Sequence, residues 1–514
     1  MHVAITFFED YWLFLAELMR QLQRVEPRAS FSGLAARRAT VCPMIEALRA
    51  EGVRITEYEW LGTLERQWVD GPFDMRQLGE YRERYGDETL KRLLICDREL
   101  AFGFISGGRY ATTPLRQLVE RRPEKRWQYV CNALRFYENR FASRRPDVVI
   151  NAELTMTFEV AAYYVAKQQG IPSYSFSPSR FGDRLLMVDN PQNRTPVIDR
   201  LGGEAVRQRS LIDEDSWTEA AAYVGRFRMS PCAPAYSRYQ LEQAVRSSSL
   251  RGFVGDAARA VAKGVAGALG MKGTRGFLRR RGTRDLLGEA VRRFRVTRQA
   301  LAGEGFADPD AYLRDPYLYF PLQVDPEASM MVCAPYRTNQ LALIEDLAKA
   351  MPAGFKLLVK DHAPMLGGRP DGFYDRIRGM PDVVLVDPFA DNYGLIASAA
   401  LVVTVTGTVG WESIALRKPV LVLGECQYIG FTQGFRVYTG CNDLRTEIMA
   451  AIAEPSADDE ALIAYVAATY AKSFAVPARA FGSAHYGTDG PREIARCLPE
   501  LQRLAAAIVQ RSAA

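Results

Sequence analysis

The sequence has little histidine and no ordered cysteine. Three histidines occur in 514 residues, His2, His362 and His485. The eight cysteines, Cys42, Cys96, Cys131, Cys232, Cys333, Cys426, Cys441 and Cys497, include no CxxC pair. A zinc site needs clustered histidine and cysteine at ligand spacing, so no metal is expected. A disulfide scaffold is excluded as well, because a chain of this length buries a core without staples; reduced thiols in a cytoplasmic protein follow. No apolar run approaches the roughly 20 residues that span a bilayer. The opening MHVAITFFEDYWLFLAELMRQLQ lacks a basic start and is interrupted by Glu9, Asp10 and Glu17, unlike a secretory signal. Any membrane role is therefore expected to be peripheral.

With 48% hydrophobic residues, the chain can form two or more ordinary domains, and disordered or fibrous classes drop out. The net charge of +6 is local in origin: residues 251–300 carry thirteen Lys or Arg and three Asp or Glu, with RGFLRRRGTR at 275–284. Such a segment is either a solvated interdomain connector or a surface that meets anionic lipid or an anionic glycan. Nucleic acid is not expected, because no aromatic-interleaved recognition motif accompanies the charge. Glycines at 264, 267, 270, 273 and 276 are expected to weaken any continuous helix there.

Two regions read as alternating strands and helices. In the first, an apolar run from His2 to Phe7 is followed by a periodic stretch through Tyr11, Leu15, Leu18 and Leu22. Later, PDVVIN (146–151), a helical pattern from Glu153 to Gln169, and GIPSYSF (170–176) form a βαβ unit. The stretch between, roughly 26–140, reads as mostly helical. In the second region, strands are expected at 317–323, 356–360, 383–387, 401–405 and 419–424, with helices between them. Ligands of doubly wound domains lie outside the carboxyl ends of the strands, which directs attention to the polar residues there.

Those ends supply Gln323 and Asp325, then Lys360, Asp361 and His362 in KDHAP, then the turn from Thr406 to Glu412 in VVTVTGTVGWESIALRKPVLVLG. Gly407 and Gly410 lack β-carbons, so either a ligand approaches the backbone there or the glycines serve helix–strand packing. Thr406 and Thr408 offer hydroxyls, and Glu412 offers an acceptor for ribose. The turn is neither GxGxxG nor GK[ST], so dinucleotide binding and ATP hydrolysis are not indicated. Lys360 suits a phosphate, and the imidazole of His362 can donate to a departing one. In the first region, Glu9 and Asp10 after the first strand and Glu153 after PDVVIN are candidate general bases, and Arg180 or Arg184 in SPSRFGDR (177–184) a candidate anion contact.

The runs YFPLQVDPE (319–327), LLVKDHAP (357–364) and VVTVTGTVGWESIALRKPVLVLG (402–424) resemble the capsule polysaccharide biosynthesis proteins, which include bacterial Kdo transferases and related glycosyltransferases. The resemblance implies a GT-B fold: two Rossmann-like doubly wound α/β domains facing across a cleft. It divides the chain into an acceptor-side domain (1–250), a basic segment (251–310), a nucleotide-sugar domain (311–485) and a terminal helix (486–514) packing back on the first domain. It also implies that Gln323, Asp325, Thr406, Gly407, Thr408, Gly410 and Glu412 bind the donor, with Lys360 and His362 at the departing phosphate. Glu153 or Asp10 would act as base, and Glu9, Arg180 and Arg184 would face the acceptor. The donor is a nucleotide sugar, CMP-linked sugars among the candidates, and it is a substrate; no cofactor is implied. The acceptor is a surface polysaccharide or its lipid-linked primer, reached in the cytoplasm or on the inner membrane face. Other readings are a non-catalytic capsule assembly or export protein, and a nucleotide-sugar epimerase or polyol-phosphate transferase on the same fold.

Overall fold

The structure is a computed structural model that describes residues 1–514 except 8–10, 36–37, 105–112, 233–240, 247, 269–281, 432, 441, 483–488 and 513–514. Twelve strands form two six-stranded sheets. The first contains β1 (His2–Phe7), β2 (Ser30–Ala35), β3 (Ile55–Trp60), β4 (Val148–Asn151), β5 (Ser173–Pro178) and β6 (Leu185–Val188), in the order β3-β2-β1-β4-β5-β6. All its pairings are parallel except that of β5 with β6. The second contains β7 (Tyr317–Pro321), β8 (Lys356–Lys360), β9 (Val383–Val386), β10 (Leu401–Thr404), β11 (Val420–Val422) and β12 (Phe435–Val437), in the order β12-β11-β10-β7-β8-β9. It is parallel throughout. Strands such as LLV and LVV are apolar on both faces because helices cover both sides of a parallel sheet. The fold is thus two Rossmann-like doubly wound domains, as expected.

The stretch 26–140 is mostly helical, as expected, but it also supplies β2 and β3, with helix Arg38–Ala50 between them. The sequence SFSGLA carries little β-branched signal, and ITEYEW is an edge strand whose Thr56 and Glu57 face solvent. Of the glycines in the basic segment, Gly264 and Gly267 do not interrupt a helix, and Gly270, Gly273 and Gly276 lie outside the described residues. Helix Leu250–Ala268 runs through Gly264 and Gly267 and packs against helix Thr283–Leu301, with the rings of Phe253 and Phe294 4.9 Å apart. Tertiary packing overrides the roughly 1 kcal/mol cost of each helical glycine. The centre of RGFLRRRGTR lies outside the described residues.

The packing knits the two sheets together. Helices Pro196–Ala205 and Glu214–Met229 follow the first sheet in sequence yet pack on helix Asp459–Lys472, in a core shared by Trp217, Phe227, Trp411 and Tyr465. Residues 196–229 therefore join the second domain, although the division by sequence puts them before residue 250. In the other direction, helix Leu498–Ser512 places Leu501, Leu504 and Ile508 against Phe14, Leu15 and Leu18 of helix Trp12–Val25.

Candidate functional site

In the second sheet the strand order reverses between β7 and β10, and such a switch point opens a crevice at the carboxyl edge. Gln323 follows β7, and the turn Thr406–Glu412 follows β10. They meet: Gln323 Nε2 lies 3.5 Å from Thr404 Oγ1, and Gly407 N–H donates to the same hydroxyl at 3.2 Å. A methyl group on Gly407 would come within 2.9 Å of Gln323 Nε2. One on Gly410 would come within 2.2 Å of the hydroxyl of Tyr428, whose proton goes to the Gly407 carbonyl. Gly410 thus makes room for Tyr428, so its glycine character has a packing origin that the sequence alone left open.

β8 contributes the next loop from the adjacent position. Asp361 is fully buried and accepts from Arg369 Nη2 at 2.6 Å and Nε at 3.2 Å, from Tyr374 Oη at 2.6 Å and from the His362 N–H at 2.7 Å. Arg369 Nη2 also donates to the Gln323 carbonyl at 2.8 Å, and the buried Gln340 side chain brackets the Gln323 peptide at 2.7 and 3.2 Å. One buried guanidinium therefore ties the loop after β7 to the loop after β8. Asp325 is 1% exposed and is followed by a cis peptide to Pro326, and its charge helps hold Arg369 electrostatically.

Above the network sit the groups with free chemistry. The Lys360 ammonium makes no hydrogen bond or ion pair among the described residues, and burial lowers its pKa to about 8 despite Asp387, Asp391 and Glu412 nearby. His362 Nδ1 is buried without a partner among the described residues, and burial lowers the pKa of the ring to about 4, so it is neutral at physiological pH. Glu412, buried in the short helix Val409–Ala415, is pushed up to about 7 by burial; the Thr408 hydroxyl, Arg180 and Lys360 oppose the shift. Thr406 is already committed, its hydroxyl donating to the Ser329 carbonyl at 3.1 Å.

Arg180 reaches this site from the first domain. Gln427 after β11 donates to Ser177 Oγ at 2.8 Å and to the Pro178 carbonyl at 2.9 Å, and accepts the Arg180 N–H at 3.1 Å. That staple seats the loop after β5 so that the Arg180 guanidinium acts on Glu412 across the domains. Arg184 does not. Its guanidinium donates to Ser473 Oγ at 2.7 Å and to the Tyr470 carbonyl at 3.3 Å, and stacks over the Tyr470 ring. It braces helix Asp459–Lys472.

The first sheet has its own switch point between β1 and β4, where Thr6 donates to Asn151 Oδ1 at 2.7 Å. Glu153 lies half-buried just beyond β4, because the helix expected from residue 153 starts at Thr157. Glu159, which sequence reasoning missed, closes that helix's start by accepting from Thr155 and Met156, and burial raises its pKa to about 8. Glu9 and Asp10 lie outside the described residues. No group of three or more potential metal ligands occurs among the described residues.

No curated protein matches the chain by sequence. Among solved structures, a beta Kdo 2,7 transferase, KpsC of Thermosulfurimonas dismutans, aligns at 13% identity and TM-score 0.32 over 65% of this chain and 80% of its own. A UDP-GlcNAc 2-epimerase from Neisseria meningitidis bound to UDP-GlcNAc aligns at 11% identity and TM-score 0.22 over 91% and 98%. The UDP-GlcNAc 2-epimerase of Methanocaldococcus jannaschii aligns at 11% and 0.23 over 90% and 94%. Residues 282–439, which hold β7 to β12 together with Gln323, Lys360, His362 and Glu412, match the family described as "Capsule polysaccharide biosynthesis protein".

Proposed function

We propose that this protein is a glycosyltransferase that takes a sugar from a nucleotide-sugar donor held on the second domain and passes it to a capsular or related surface-glycan acceptor entering from the first. The observation that carries the reading is Lys360: a largely buried cation, unpaired among the described residues, at the switch-point edge of a parallel sheet. A desolvated cation whose acidic neighbours make no direct ion pair with it is costly, and an anionic ligand bound to it relieves that cost. Donor phosphate fits there, with Arg180 offering a second cation from across the cleft.

In this scheme negative charge develops on the departing phosphate. Lys360, at the end of β8, stabilises that charge. His362 contributes as a neutral donor, because its ring does not hold a second proton near neutrality. Glu412 accepts from ribose hydroxyls. Glu153, half-buried just beyond β4, takes the acceptor proton. The reaction setting is the cytoplasm or the inner face of the membrane.

A turnover screen of CMP-, UDP- and GDP-sugars tests the reading, with His362→Ala and Glu412→Ala as controls. One donor class should be consumed; His362→Ala should lower its turnover by at least about 100-fold, the scale of a lost transition-state donor, and Glu412→Ala should lower turnover by weakening donor binding. Turnover untouched by both substitutions would reject the assignment. Binding without turnover in the presence of acceptor glycan would favour an assembly protein, and interconversion of the free donor an epimerase.

A further inference from the structure

Helix Leu250–Ala268 presents two opposite faces. Phe253 turns towards Phe294 of helix Thr283–Leu301, and Gly252 and Ala260 are buried. On the other side Leu250, Val254, Val261 and Val265 are 70%, 58%, 44% and 50% exposed, with Ala258 exposed among them. At 100° per residue these five fall within one sector about 80° wide. Scattered exposed valines need no explanation, but a stripe of this length along one helix does. Exposed Arg251 borders the stripe, and Asp256, the helix's single acid, lies on the far side. Arg246, Arg284, Arg295 and Arg298 add exposed cations on the same pair of helices and their approach.

We propose that this face docks on an anionic lipid bilayer, the valine stripe entering the headgroup boundary and the arginines meeting lipid phosphates. An apolar face bordered by cations is the pattern of an interfacial helix. A second copy of this chain is the less suitable occupant, because like cations would oppose one another across the contact. Among the described residues no helix is long and apolar enough to cross a membrane, so the contact is peripheral.

The placement has a consequence for the site. Helix Thr283–Leu301 abuts the loop after His362: at Gly367, with φ +76°, a methyl group would lie 2.5 Å from Arg293 Cα, and Arg292 Nε points to the Gly367 carbonyl at 3.5 Å. The docking pair is therefore anchored on the loop that carries Arg369. Bilayer contact fixes how the cleft faces a lipid-linked acceptor. That orientation rests on the transferase reading; the docking itself does not.

Co-sedimentation of the full chain with phosphatidylethanolamine–phosphatidylglycerol vesicles, against pure phosphatidylcholine vesicles, tests it. The chain should pellet with the anionic vesicles and release as salt rises. Val254→Asp/Val261→Asp should weaken partitioning by about tenfold or more while leaving the melting temperature unchanged, and Arg251→Glu should weaken it and flatten the salt dependence. Absence of binding to anionic vesicles, or binding that ignores the double aspartate variant, would overturn the proposal. So would a dimer that the double variant dissociates in a chain that does not bind vesicles.

Discussion

Removing Arg369 separates a packing role from a positioning role. Arg369→Met leaves Asp361 as a buried carboxylate that has lost its guanidinium, with Tyr374 Oη and the His362 N–H as remaining donors. Breaking one partner of a buried pair costs about 3–5 kcal/mol. For a domain of 150–250 residues this shifts the melting temperature by roughly 6–20 °C. Asp361→Leu alone should cost a similar amount, since it strands the guanidinium. The double variant Asp361→Leu/Arg369→Met strands neither charge and should fall short of the summed losses by about 2 kcal/mol or more.

Calorimetric unfolding of the four proteins gives the cycle, and titration of a bound nucleotide gives the second readout. Arg369 also grips the Gln323 carbonyl, so its loss frees both donor loops at once. Arg369→Lys keeps the charge but not the two-pronged geometry, so it should recover part of the stability and little of the nucleotide affinity. Additive losses in the cycle would refute the ion pair as the organising contact. Unchanged affinity in Arg369→Met at a temperature where the protein is folded would refute the positioning role.

Three further outcomes follow from the same geometry. Lys360 has its pKa lowered from 10.5 to about 8 in the folded chain, so the stability it contributes is full above the unfolded value and lost as pH falls through about 8. Lys360→Met should therefore melt higher than the natural chain at pH 7 yet lose nucleotide affinity; in the natural chain that affinity should fall above pH about 8, a loss that Lys360→Arg abolishes. Gly410→Ala should destabilise by about 1–3 kcal/mol through overlap with Tyr428, and adding Tyr428→Phe should recover part of it in denaturant titrations. Arg184→Ala should lower the melting temperature by removing the Ser473 and Tyr470 contacts while sparing nucleotide affinity, whereas Arg180→Ala should do the reverse.

The legible parts of the sequence were those where local pattern and tertiary role agree. β8 and β10 announce themselves because LLV and LVV are buried on both faces, and Lys360 and His362 stand out because polar residues follow such a run at once. β12 was missed because FRV is three residues long with an arginine at its centre, and β2 because SFSGLA has serine and glycine where valine would be expected. Arg369 sits in GGRP, which reads as a solvated loop; nothing local shows that it turns inward to Asp361. Gln427 is similarly silent, since its partners Ser177, Pro178 and Arg180 belong to the other domain. The glycines of the donor turn show the converse. Their spacing was visible, but Tyr428, the group that needs the room at Gly410, comes from another loop. Arg180 and Arg184 look equivalent in SPSRFGDR, and only the fold separates a cation facing Glu412 from a brace on Tyr470.

The most direct test of the central claim, that the ends of β7, β8 and β10 hold a nucleotide donor, is equilibrium titration of CMP, UDP and GDP into the natural chain and into Lys360→Ala. One nucleotide should bind, and its affinity should fall by about tenfold or more in the variant, the weight of one charge-assisted contact. If none of the three binds, or if binding is indifferent to the loss of Lys360, the donor site lies elsewhere and the account is wrong.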